Sequence, residues 1–202
     1  MRTLRRLLFI SLFFVPLFSA PSPIPKPPLS FVEGGEGGGE GIAYAQDFES
    51  KKIVPFVPSP QEVVDRMIEL AGVKPGDVVY DLGSGDGRIV IAAAKKGARA
   101  VGFEIDPNLV SESRENIRKA GVEDRAEIRN QDILTVDLSP ASTVTMYLLP
   151  DVNLKLKPNL LSQLKPGSRV VSHAFDMGDW KPDRTDRVSG RTVYLWIIPA
   201  AR

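Results

Sequence analysis

The sequence predicts an α/β protein built as a doubly wound, mostly parallel sheet with helices on both faces and an antiparallel hairpin at its C-terminal edge. Three observations predict it. Short β-prone runs alternate with helical stretches of about 10–15 residues from Val57 onward, the pattern of right-handed βαβ crossovers. A glycine-rich turn, Gly83 to Gly87, joins the first such run to a helix. The last β-prone run follows a short connection carrying Ser189-Gly190, residues suited to a tight hairpin.

Each element has a local reason. In Ser59-Pro60-Gln61-Glu62 the serine can cap a helix, the proline sits in its first turn and Glu62 completes a capping box. Val63, Val64, Met67, Ile68 and Ala71 supply that helix with an apolar stripe. Lys74-Pro75-Gly76-Asp77 reads as a turn and Val78 to Leu82 as a short buried strand. Arg88 to Lys96 reads as a helix stopped by Gly97, and Ala100 to Ile105 as the next strand. Asp106-Pro107 caps a helix that runs to about Ala120 and ends at Gly121. Ala126 to Asn130, Ser142 to Leu148 and Ser168 to Ala174 read as further strands, with a helix over Asp151 to Leu164 despite Pro158, and Thr192 to Ile198 closes the chain as a strand.

The 202 residues suffice for one α/β core and a tail. With 43% hydrophobic and 25% charged residues the chain is neither wholly disordered nor a multi-span membrane protein. Its 26 basic and 25 acidic residues nearly cancel, so no strongly basic surface commits it to nucleic acid. The absence of cysteine excludes disulfides, thiol nucleophiles and thiolate-held metals, and a single histidine supplies metal chemistry poorly, so no metal is expected.

Arg2, Arg5 and Arg6 precede an apolar run from Leu7 to Phe18, the grammar of a signal peptide. The run is shorter than the roughly 20 residues of a relaxed membrane span. The small-residue tripeptide Ala43-Tyr44-Ala45 lies beyond a proline- and glycine-rich stretch, an unusual distance for a cleavage site. Export, an uncleaved membrane anchor and an overextended start all accommodate the segment; an anchor facing the cytoplasm best suits the chemistry below. We therefore divide the chain into a signal-like segment with a disordered linker, 1–46, and a folded domain, 47–202.

The sharpest chemical signal is Asp81-Leu82-Gly83-Ser84-Gly85-Asp86-Gly87. Three glycines in five residues let a backbone bend sharply and approach a ligand, at the strand ends where open α/β sheets bind ligands. A dinucleotide fingerprint needs G-x-G-x-x-G, but this spacing is tighter and Arg88 stands in the third glycine's place; no P-loop motif is present. Carboxylates before and within the loop repel a pyrophosphate and suit a ligand bearing an ammonium and a sulfonium, as S-adenosylmethionine does. Glu104, about twenty residues beyond the loop, stands where an acceptor for ribose hydroxyls belongs, beside Ile105. Gln131-Asp132-Ile133 follows the third strand, offering Asp132 to an adenine amino group and Ile133 to its ring face.

Asp81 to Gly87, Glu104 and Gln131-Asp132 together resemble the cofactor motifs of class I, seven-strand, Rossmann-like S-adenosylmethionine-dependent methyltransferases. More narrowly, Phe56 to Pro60, Val144 to Leu149, Leu164 to His173 and Trp180 resemble the small protein lysine methyltransferases of archaea and the mitochondrial ATP synthase c-subunit lysine methyltransferase family. The resemblance implies N-methylation of exposed protein lysines. Tyr147 at the end of the fourth strand is the first candidate substrate contact. His173, the only imidazole, is a candidate for orienting the acceptor or relaying a proton. Phe175 and Trp180 are candidates for an aromatic wall around a lysine stem. A small-molecule or RNA acceptor, and a membrane-tethered protein that binds the cofactor without turnover, remain open.

Overall fold

The computed structural model describes residues 56–200, so the signal-like segment and the 46/47 division lie outside the described residues. Elements follow in the order α1 (Gln61–Leu70), β1 (Val78–Leu82), α2 (Arg88–Lys95), β2 (Arg99–Glu104), α3 (Pro107–Ala120), β3 (Ala126–Asn130), a 3-10 turn (Ile133–Thr135), β4 (Thr143–Met146), α4 (Pro150–Gln163), β5 (Arg169–His173), β6 (Arg184–Val188) and β7 (Arg191–Ile197). The strands form one sheet in the order β3-β2-β1-β4-β5-β7-β6. The first five are parallel, and β7 runs antiparallel to both β5 and β6. The predicted doubly wound sheet with an antiparallel edge is therefore present.

Strand alternation divides the core in two. Val79 of β1 and Val171 of β5 pack with Val63, Met67, Ile68, Val90 and Ala93 under α1 and α2. Leu82, Phe103, Val144, Met146 and Trp196 pack on the opposite face with Leu156 and Leu160 of α4. Pro158 lies within α4 on its exposed side, away from the buried stripe of Val152, Leu156 and Leu160.

Asp106 accepts from Asn108 N–H and Gly121 takes φ +64, so α3 starts and stops where its sequence signals stand. The capping box does not form at α1. Pro60 occupies the cap, its carbonyl accepts from the N–H groups of Val63 and Val64, and no side chain caps the helix. Ser59 is instead drawn into a contact 114 residues away, described below. β4 ends at Met146, so Tyr147 lies just beyond the strand rather than in it.

Sequence patterning locates no strand at Arg184–Val188, whose residues are mostly polar and solvent-facing. As an edge strand it needs no apolar alternation, and charge there discourages pairing with another chain. Ser189 and Gly190, with φ of +50 and +76, make the two-residue turn that joins it to β7.

Chain direction reverses its march across the sheet between β1 and β4, which opens a crevice at their C-terminal ends. Asp81 stands there, flanked by Gly102 of β2 and Thr145 of β4. A side chain at Gly102 has no room: an added Cβ would lie 2.6 Å from both Ser84 Oγ and Ile128 Cδ1. Gly102→Ala is expected to destabilise the fold by about 1–3 kcal/mol, the usual cost of overpacking, read as a lower Tm in thermal denaturation; an unchanged Tm contradicts this packing.

Candidate active site at the glycine-rich loop

The crevice is a cleft of about 840 Å3, its open mouth included. Of the predicted residues, Asp81 lines it from β1, Gly83, Ser84 and Asp86 from the loop, Glu104 and Ile105 from the end of β2 and just beyond, Asp132 and Ile133 from the start of the 3-10 turn, and Tyr147 from beyond β4. The loop is glycine-rich for steric reasons at two positions. Gly83 and Gly85 both have positive φ, and a Cβ would come 2.9 Å from Leu148 at the first and 2.3 Å from the Phe56 ring at the second.

Glu104 holds the loop in shape. Its Oε2 accepts from Gly85 N–H at 2.9 Å, and its Oε1 accepts from Ile105 N–H at 2.8 Å and Asp106 N–H at 2.9 Å. Asn130 secures the same corner by donating through Nδ2 to the carbonyls of Glu104 and Ile105. Asp81 is the converse case. Its Oδ1 accepts from the Thr145 hydroxyl at 2.7 Å, but its Oδ2 is buried without a partner, as is Ser84 Oγ. Burial, reinforced by the nearby charges of Glu104 and Asp86 and opposed by the Thr145 hydrogen bond, pushes the Asp81 carboxyl up to about 7.

Asp86 differs from the expectation of a free carboxylate. Arg88, the residue in place of a third glycine, grips it in a bidentate pair through Nε at 2.9 Å and Nη2 at 2.5 Å. The unpaired acidity of the loop therefore belongs to Asp81. Gly85 and Gly87 shape the loop without lining the cleft; Gly87 lies against Ser113. Gln131 does not reach the cleft either, since its amide donates to Thr135.

On the far side, Tyr147 forms one ring of an aromatic stack. His173 lies 4.0 Å from it between centroids, and Phe175 lies 6.3 Å away, nearly parallel. His173 is 1% exposed and does not line the cleft, so it sits behind Tyr147 rather than beside an acceptor. Burial, with a further push from Arg191, brings its imidazole down to about 4, which leaves it neutral and unsuited to proton relay near pH 7. Trp180 is not part of this wall. It packs 5.7 Å from Trp196, whose Nε1 donates to the Trp180 carbonyl.

Sequence reasoning assigns Thr145 no role, and Phe56 to Ser59 no chemical one. Phe56, Val57, Pro58 and Ser59 line the cleft as a strap leading into α1. Two threonines within the otherwise apolar Thr143-Val144-Thr145-Met146 are the available signal for a hydroxyl facing a buried carboxylate.

The ANTKMT methyltransferase domain matches residues 81–184, the span from the loop to the start of β6. The chain belongs to this methyltransferase family. A protein-lysine N-methyltransferase of Saccharolobus islandicus is 49% identical over 151 residues, covering 72% of this chain and 94% of that protein. The mouse lysine N-methyltransferase of the ATP synthase c-subunit is 37% identical, over 75% of this chain and 61% of its own length. A solved structure from Salinibacter ruber, described as an RNA methyltransferase in complex with S-adenosyl-L-homocysteine, is 59% identical with a TM-score of 0.70, over 72% of this chain and 96% of that one. A DNA methylase family also matches residues 45–115, which include the glycine loop.

Asp81 and His173, the two most strongly shifted groups beside the cleft of this methyltransferase, oppose each other in their effect on stability. Asp81, raised above its ordinary 3.8, keeps a proton in the fold that the unfolded chain releases, so its contribution falls as pH rises from about 4 to about 7. His173, lowered from 6.5 to about 4, takes a proton only on unfolding, so its contribution rises with pH over nearly the same window. Asp81→Asn removes the first contribution. Between pH 4 and 6.5 its unfolding free energy, from urea titrations, is expected to climb relative to wild type by about 1.4 kcal/mol per pH unit; parallel curves contradict the assignment.

Proposed function

We propose that this methyltransferase moves a methyl group from S-adenosylmethionine to the side-chain amine of protein lysines. The observation that carries the donor half is the pair of unpartnered polar atoms, Asp81 Oδ2 and Ser84 Oγ, buried at a cleft whose floor tolerates no Cβ. They offer an acceptor to an ammonium group, and the 59% identical Salinibacter protein holds S-adenosylhomocysteine. Glu104 would take the ribose side. Three of the roughly four acceptor positions of its carboxylate are filled by backbone N–H groups, which leaves one for a hydroxyl. Asp132, with Ile105 and Ile133, would take the adenine.

When bound, the donor supplies a methyl on a sulfonium, an excellent leaving group, so no nucleophile on the protein is required. The chain's own work is alignment and desolvation. Phe56 and Leu148 cover the loop glycines with apolar surface, and Tyr147, braced by His173 and Phe175, presents a ring to whatever enters beside it. A lysine ammonium moved into that apolar mouth has its pKa lowered, so loss of its proton to water needs no dedicated base.

The lysine acceptor is supported by the Saccharolobus and mouse relatives. RNA is the second reading, favoured by the description of the Salinibacter structure. A net charge of +1 and a cleft whose one lining arginine is already paired with Asp86 argue for protein. Tethering by the signal-like segment, facing the compartment where the donor is made, belongs to the same proposal; among the described residues no helix is long and apolar enough to cross a membrane.

Incubation with isotopically labelled donor, a mixed protein extract and total RNA is expected to put label on lysine, located by mass spectrometry. Label confined to RNA, or none at all, overturns the lysine reading. Donor affinity is also expected to depend on pH. A bound cation favours ionised Asp81, whose proton leaves near pH 7, so calorimetric affinity for S-adenosylmethionine should be about tenfold weaker at pH 6 than at pH 8. Asp81→Asn should flatten that profile, and an unaltered slope contradicts the role given to Asp81.

A further inference from the structure

The strap and the aromatic stack meet at a single side chain. A 2.8 Å hydrogen bond joins Ser59 Oγ to His173 Nδ1, both groups being buried. The Ser59 carbonyl is held separately, accepting from Arg88 Nη1 at 2.7 Å, and Arg88 is in turn paired with Asp86 of the glycine loop. From this anchor the chain runs back over the cleft, with exposure rising from 4% at Ser59 to 56% at Val57 and 41% at Phe56, whose ring lies on Gly85. The strap is thus fastened at Ser59 and becomes more exposed toward Phe56.

The imidazole at the anchor is also the ring that packs on Tyr147. Its placement is enforced by the backbone. Phe175 N–H donates to the His173 carbonyl at 2.9 Å across Ala174, whose φ of +67 makes this a three-residue turn of the rare, strained kind. That turn ends β5 so that the residues on either side of Ala174 both stack on Tyr147. Strain of this sort in a residue other than glycine persists where surrounding contacts fix it, characteristically beside functional sites. A helix cap at α1 would have been the ordinary use of Ser59. The fold forgoes that cap and commits the hydroxyl to His173.

We propose that His173 is a positioning residue that couples closure of the Phe56–Ser59 strap over the donor cleft to the seating of Tyr147 on the acceptor side. This rests on the reading of the cleft as a donor site with Tyr147 facing the acceptor. The Ser59–His173 bond holds the anchored end of the strap and the imidazole together, and the imidazole in turn holds the Tyr147 ring. Breaking that bond then loosens both donor retention and acceptor alignment.

The test uses the full chain and measures two quantities: the rate at which S-adenosylhomocysteine leaves, by stopped-flow, and the acceptor KM with a lysine-bearing protein substrate. His173→Phe keeps a ring against Tyr147 and deletes the hydrogen bond; it is expected to speed release about five- to tenfold, the loss of one buried hydrogen bond, and to raise acceptor KM. Ser59→Ala should do the same from the strap side, and Ser59→Thr, which restores the hydroxyl, should return both values to within about twofold of wild type. The double variant Ser59→Ala/His173→Phe should be no worse than either single one, since both remove the same bond. Release and KM unchanged in Ser59→Ala, no rescue by threonine, or multiplying effects in the double variant overturn the coupling. If His173→Phe does not fold, the Ser59 pair decides the matter by itself. Product release is read without any acceptor, so a wild type that retains S-adenosylhomocysteine but methylates no lysine defeats the lysine reading and leaves the strap measurement intact.

Discussion

Everything at the cleft depends on where the carboxylate of Glu104 is held. It is 8% exposed at the end of β2, and its three backbone N–H donors come from two neighbouring turns: Gly85 from the loop after β1, and Ile105 and Asp106 from the entry to α3. A buried carboxylate is tolerable only with such compensation. The same bonds tie two separate strand-to-helix turns into one corner, so a side chain about twenty residues away helps fix the steep backbone that the loop's own glycines permit.

The neighbouring carboxylates show how environment divides labour among like residues. Glu104 accepts from three backbone N–H groups and keeps one acceptor position for a hydroxyl, Asp86 is neutralised by Arg88, and Asp81 has one oxygen satisfied by Thr145 and one left bare. Only the last is pushed up to about 7, and only the last has an acceptor waiting for a cation. Family membership agrees with this division, since a methyl donor that carries positive charge needs one receptive acid more than it needs three.

Much of this was legible in the sequence because it is local chemistry. Glycine spacing, the Asp106-Pro107 cap, the Ser189-Gly190 turn and the apolar periodicity of α1 each depend on residues a few positions apart, and each stands where its pattern indicates. What escaped was set by partners distant in the chain. Ser59 looks like a cap until His173, 114 residues on, takes its hydroxyl. Asp86 is the local exception: it looks like a ligand until Arg88, two residues on, closes on it. Trp180 looks like part of a lysine cage until Trp196 donates to its carbonyl, and β6 carries no apolar alternation because an edge strand buries little.

Calorimetric titration of S-adenosylhomocysteine into wild type and Glu104→Gln tests most directly whether Glu104 both shapes the loop and supplies an acceptor to the donor's sugar. The amide retains the volume but loses the charge and one acceptor, so affinity is expected to fall by more than about tenfold. Equal affinity in the two proteins would contradict that double role.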